Sequence, residues 1–404
     1  MFGKKKVQNI GKVFDYLKDG HLRARELGNQ RISIKNVDFT NVKIQGTSWQ
    51  YFDFDNCDFA GTFSIRLDWL TESTFTNCNF SGILELGNAR DVRFINCIVA
   101  VDGIGGINFF KNSSSLVFEG CKFRNSNYDP NNEGGVTSEG EIIFIDCEAQ
   151  GFVQGAYKKL TLRSCTTRSV RLATAQYGFY VNDLSKLPYA DFLLEDCDFT
   201  RGVDTTSLEL NNFTMRNCKV DIFKTARSVV LGDMLIENIK KGHLDLSNTD
   251  FKGKLTVRNC SFFTHFEGFS FWCRAIITTH TLIEDVICGT YPTNVSGSGE
   301  YTTEESRLPV TINKSFIIRN CDIPHLHVDW AQTEHLRIEN CTIDTLLIRN
   351  GRIGKLEIIG CKLMKLDVSN TQVKEQDVRV EEGDKLSGHI TVTTGSNIKL
   401  LPKE

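Results

Sequence analysis

Fifteen times between Ile34 and Cys361 the chain repeats one four-residue phrase. An apolar residue comes first, then a variable one, then Asn, Asp, Ser or Gly, and last a cysteine or, in three copies, Val or Ile. Phe54-Asp55-Asn56-Cys57, Phe94-Ile95-Asn96-Cys97, Leu162-Arg163-Ser164-Cys165 and Ile338-Glu339-Asn340-Cys341 are four of them. Most copies lie 18–26 residues apart, and two gaps stretch to 32 and 35. A recurrence near twenty residues marks stacked units, each too small to bury its apolar face alone. It also lifts the size limit that would otherwise divide 404 residues into two or three ordinary domains.

A shorter period lies inside the longer one. From Cys321 the chain reads CDIPH, LHVDW, AQTEH, LRIEN, CTIDT, LLIRN, GRIGK, LEIIG. The first and third residues of each five are mostly apolar or small, and the others are mostly polar. Two inward side chains followed by a corner make one wall, and four walls make one turn of twenty residues. An α-helix would need apolar residues at i, i+3, i+4 and i+7, and the pattern does not supply them.

Cys57-Asp58-Phe59-Ala60-Gly61 and Cys78-Asn79-Phe80-Ser81-Gly82 are complete copies of a small–Asp/Asn–Phe–x–Gly unit. Val37-Asp38-Phe39, Cys197-Asp198-Phe199 and Thr249-Asp250-Phe251 are partial ones. In this the chain resembles the pentapeptide-repeat family, with degenerate repeats and added insertions. The resemblance implies an all-β fold: a right-handed parallel β-helix, a four-sided solenoid of about 15–16 coils. The expected organisation is a capping helix and lead-in over 1–28, the β-helix with lateral loops over 29–385, and closing strands over 386–404. Residues 7–19 carry the helical apolar stripe Val7, Ile10, Val13, Phe14 and Leu17, suited to covering the first coil. His389-Ile-Thr-Val-Thr and Asn397-Ile-Lys-Leu suit the other end.

The fourteen cysteines read as small buried side chains. Metal sites group two or more ligands in a short segment, and there is no C-x-x-C here, so no metal is expected. Each cysteine should lie directly over the next, with the partner two residues on (Phe59, Phe80, Phe123, Phe199, Phe262) forming a second column. The residue before each cysteine is of a type that tolerates a tight corner.

Two residues before each cysteine position the side chain should point outward. Read turn by turn, that position runs Arg163, Glu195, Arg216, Glu237, Arg258, Glu284, Arg319, Glu339. The sign alternates, so opposite charges become neighbours and a slip of one turn makes every contact repulsive. Glu237 and Glu284 are therefore expected to specify register and not to serve as a catalytic pair.

The insertions, at about 98–115, 124–140, 168–190, 263–280 and 288–312, all follow a Cys-x-Phe wall and precede the next cysteine-leading strand. They should leave from one side, where repeat proteins commonly bind. The candidate partner-binding residues are Tyr128, Asp129, Glu133, Arg171, Tyr177, Tyr180, Asp183, His265, Glu267, Trp272, Tyr301 and Glu304. Aromatic and charged side chains of this kind anchor protein interfaces.

Chemistry is sparse. Gly103-Ile-Gly-Gly follows a strand but opens no helix, and no Walker, HExxH or GxSxG pattern occurs. His325, His327 and His335 share a turn without converging, and Cys273 has only His265 or His280 as a nearby base. No catalytic residue and no cofactor is expected. The formal charge of −3 argues against a basic nucleic-acid surface, and no apolar run reaches bilayer-spanning length. No apolar leader follows Met1, so the expected location is the cytoplasm, or a host cell for a delivered protein.

The leading expectation is a non-enzymatic cytoplasmic scaffold that binds a protein partner through its loop-bearing face. Three others stand beside it, each implied by fold resemblance. One is a mimic of duplex DNA that inhibits a type II topoisomerase, which needs a continuous acidic strip. Another is a carbohydrate-active enzyme, which needs clustered carboxylates. The third is the recognition module of a bacterial effector.

Overall fold

The structure, a computed structural model, describes residues 31–39, 47–59, 65–80, 84–101, 108–109, 114–125, 136–149, 155–171, 190–205, 208–225, 228–246, 249–264, 268–270, 277–290, 312–328, 331–382 and 390–391. The chain divides into two compact units, Met1–Thr200 and Arg201–Glu404. Within each, strands pair in parallel with the strand one turn before and one turn after, giving an all-β parallel solenoid.

The repeated phrase sets the register. In the first unit its leading residue lies in the row Ile34, Phe54, Phe75, Phe94, Phe118, Phe144, Leu162, Leu194, each opposite the next. In the second the row is Met215, Ile236, Val257, Ile283, Ile318, Ile338, Ile358, Val378. Every member of both rows is buried. A slip by one residue would turn the whole row outward, so the apolar pattern holds the register firmly.

The five-residue period appears as burial. In the turn starting at Cys341 the inward residues are Cys341 and Ile343, Leu346 and Ile348, Gly351 and Ile353, then Leu356 and Ile358. Four inward pairs per turn are four walls.

Corners explain the Asn, Asp, Ser or Gly before the cysteine. In all fifteen copies, from Asn36 to Gly360, that residue has φ between 51 and 62°. This left-handed conformation crowds most Cβ atoms, and Gly, Asn and Asp tolerate it best. Asparagine also links the turns. Asn56 Nδ2 donates to Asn36 Oδ1 at 2.7 Å, Asn238 to Asn217 at 2.7 Å, and Asn259 to Asn238 in turn. At Gly120 a Cβ would sit 2.3 Å from Asn96 Oδ1, so glycine makes room for the amide of the turn below.

The cysteines form a thiol column. The twelve whose side chains are described are buried and free of disulfides. In most of them the thiol donates toward the carbonyl three residues before the corresponding residue of the turn below: Cys97 to Phe75 at 3.4 Å, Cys121 to Phe94 at 3.3 Å, Cys361 to Ile338 at 3.5 Å. Cys341 has Cys321 on one side and Cys361 on the other. The expected superposition of these three therefore holds. Cys288 pairs with Phe262, the aromatic position of its turn. Cys273 lies outside the described residues, as does the expected helix over 7–19. Of the expected closing segments, Ile390–Thr391 is a strand opposite Leu366 and Asp367. Asn397 to Leu400 lies outside the described residues.

Candidate functional site

Two features could bear function: the edge from which the long loops leave, and the charged wall of the second unit.

The loop edge is defined by its stems. In the first unit Val101 and Asn125 are register partners, and the segments 102–107 and 126–135 begin directly after them. In the second unit Thr264 and Thr290 are partners, and 265–267 and 291–311 begin directly after those. In the first unit, then, two segments leave from adjacent strands of the same wall; in the second the long segment 291–311 leaves beside the three residues between the strands Asp250–Thr264 and Gly268–Ser270. Of the twelve candidate residues, Arg171 ends the strand Thr166–Arg171, with its side chain outside the described set. Tyr128, Asp129, Glu133, Tyr177, Tyr180, Asp183, His265, Glu267, Trp272, Tyr301 and Glu304 lie outside the described residues.

The charged wall is described in detail. Its outward positions follow the alternating row. In the first unit Arg163 pairs with Glu195 at 3.2 Å. In the second, Arg216 faces Glu237 in register, Arg258 bonds Glu237 at 2.6 Å, and Arg319 bonds Glu284 at 2.6 Å. Arg258 stands between Glu237 and Glu284, so these carboxylates do not form a pair of their own. Hydrogen bonds and charge from the two glutamates hold the Arg258 and Arg319 guanidiniums above their usual range.

Beside that row lies a cluster that the residue pattern did not reveal. Glu357 occupies an outward position yet is only 7% exposed. His335 Nε2 donates to its Oε2 at 2.5 Å, Lys355 Nζ reaches Oε1 at 2.9 Å, and Arg337 lies at 3.5 Å. Burial pushes the Glu357 carboxyl up, but hydrogen bonds from Lys355 and His335 outweigh it and the net direction is down. Arg337 also donates to Glu339 at 2.8 Å and lowers that carboxyl as well. An ionised carboxylate held by three basic groups has no proton to give and is a poor base. The cluster is suited to tying turns together, not to acid–base chemistry.

Of the three histidines in one turn, His335 is described to its side chain, and the side chains of His325 and His327 lie outside the described set. Leu326, between His325 and His327, is fully buried, while His335 turns to Glu357. One further pair, His280 Nδ1 and Ser315 Oγ at 2.9 Å, lies on the same wall with the imidazole exposed. Among the described residues no group of three or more His, Cys, Asp or Glu is placed to hold a metal ion. Among them no helix is long and apolar enough to cross a membrane.

No protein-family model matches the chain, and no curated protein or solved structure matches it significantly.

Proposed function

We propose that the chain is a non-enzymatic scaffold of pentapeptide-repeat type, and that a protein partner engages the loops carried on one edge. The observation that carries this reading is the pairing of loop stems, Val101 with Asn125 and Thr264 with Thr290. Stems in register bring the loops that follow them close together, so their aromatic and charged residues can act as one surface. The charge row and the asparagine corners hold turns in place: carboxylates bonded to arginines, amides bonded to amides. The alternating row also favours this reading over a DNA mimic, because arginines interrupt the acidic strip such a mimic would present. The cytoplasm is the compartment that suits a column of reduced thiols.

The test replaces 126–135 and 291–311 with short Gly-Ser links and compares capture of cellular proteins by the two chains. A partner held by the parent and lost by the loop-replaced variant, with the β-type circular dichroism of the two chains unchanged, is the expected result. Identical capture by both would overturn the reading.

A further inference from the structure

The chain contains a single Asn-Gly dipeptide, Asn350-Gly351. This pairing is chemically vulnerable. Without a side chain on glycine, its backbone nitrogen can approach the preceding amide carbon freely. Attack of the Gly351 nitrogen on Asn350 Cγ forms a five-membered imide and expels Nδ2 as ammonia, which carries off the proton. Water then opens the ring at either carbonyl, leaving aspartate or isoaspartate.

The surroundings of this dipeptide restrain each atom that reacts. Asn350 sits at a left-handed corner, with φ at 57°. Its backbone N–H donates to Ser369 O at 2.9 Å, and its Oδ1 accepts from Asn370 Nδ2 at 3.2 Å. Gly351 is buried, and its N–H donates to Thr371 Oγ1 at 3.2 Å. Thr371 is itself fully buried, and its hydroxyl donates a hydrogen bond to Ile348 O. The attacking nitrogen is thus engaged, and the amide it would attack is tied to the next turn.

We propose that Asn350-Gly351 is a deamidation site held latent by the Thr371 hydroxyl, which reacts when the turns around Asn350 and Thr371 open. The site then works as a record of local opening. Isoaspartate would add a backbone carbon at a corner that must close in register, so one event would hinder the return of the turn.

Peptide mapping by mass spectrometry at mildly alkaline pH reads the reaction as a one-dalton gain at residue 350. The full chain in buffer should react at least about tenfold more slowly than the same chain in urea, since reaction follows the population of the open state. Thr371→Val should raise the rate in buffer several-fold, and Thr371→Ser, which keeps the hydroxyl, should not. Hydrogen exchange should find the Gly351 amide protected in the parent chain. Equal rates in buffer and urea would overturn the proposal. So would an unprotected Gly351 amide, or a folded Thr371→Val chain that reacts no faster than the parent. If Thr371→Val fails to fold, the exchange measurement and the buffer–urea comparison still decide.

Discussion

The two units share one backbone plan and fill it differently. In the first, the leading row is aromatic from Phe54 to Phe144, with successive rings nearly parallel at 4.8–5.0 Å. A second stack, Phe39, Phe59 and Phe80, meets it edge to face, as at 5.5 Å between Phe75 and Phe80. The strand spacing imposes the parallel stacking, and the edge-to-face contacts between stacks are geometry that aromatic rings favour. In the second unit the same row is aliphatic from Ile236 through Val378, and the facing residues include Ile323, Ile343 and Leu363. The thiol column also differs. It runs unbroken from Cys57 to Cys197, whereas Ile239 and Val286 interrupt the second. A fixed coil therefore accepts either large rings in two stacks or branched chains in layers, provided each layer repeats the one below.

The largest way to sharpen this comparison is to cut one layer in each unit. Phe94→Ala should cost about 3–5 kcal/mol, because a ring stacked on both faces leaves a void that its neighbours cannot fill. Ile338→Val should cost about 0.5–1.5 kcal/mol. Denaturant unfolding, with exchange read separately in each unit, measures both. Equal small costs would mean that the aromatic stacks repack freely and the contrast is only one of composition.

Alkali should discriminate next. Burial raises the Cys260 thiol to about 11, and the neighbouring Cys321 with burial raises Cys341 to about 12. In the first unit the directions alternate: Cys57, Cys97 and Cys147 are raised by contact with a neighbouring cysteine and by burial, and Cys78, Cys121 and Cys165 are lowered by hydrogen bonds from their neighbours. A raised pKa means that the folded state holds the proton more tightly. The stability this confers is complete below the unfolded value of 9.0 and is lost as pH climbs through the folded value. For Cys260 alone the loss is on the order of 2–3 kcal/mol between those limits. In the second unit the shifted thiols Cys260, Cys341 and Cys361 are all raised, whereas in the first the raised thiols alternate with lowered ones, so exchange protection in the second unit should fall first as pH rises from 9. Equal loss in both units would remove the thiol column from the comparison.

The smallest effect is electrostatic. Glu284→Arg sets like charges against Arg258 and Arg319 and should cost roughly 1 kcal/mol or less per contact, shrinking in high salt. Thr76, at the same row position in the first unit, has Asp55 and Ile95 as neighbours. Thr76→Arg should therefore cost nothing measurable. A penalty at Thr76 matching that at Glu284 would show that crowding, not sign, governs the row.

Much of this architecture was legible because a repeating sequence states each requirement many times. Cysteine at the inward corner, Asn before it and the alternating charge two positions earlier are all local, and the solenoid simply stacks them. Glu357 was not legible. Its place in Leu356-Glu357-Ile358 is an outward one, and its burial comes from the long side chains of Arg337 and Lys355 one step away in the stack or strand. A period shows which way a residue points but not how its neighbours fold over it. The left-handed corners at Tyr51, Glu72, Asp91 and Ser115 were missed for a related reason. Tyr and Glu carry no preference for that conformation, so only closure of the turn demands it. The loops were legible as insertions because they break the period, and the same break removes any pattern from which their form could be read.

The alternating row carries a parity. Deleting the turn that bears Glu284 would bring Arg258 beside Arg319, whereas deleting the Glu284 and Arg319 turns together would leave Arg258 beside Glu339. A row of this kind counts in twos. Along it, such a chain can lengthen or shorten cheaply over generations only by pairs of turns.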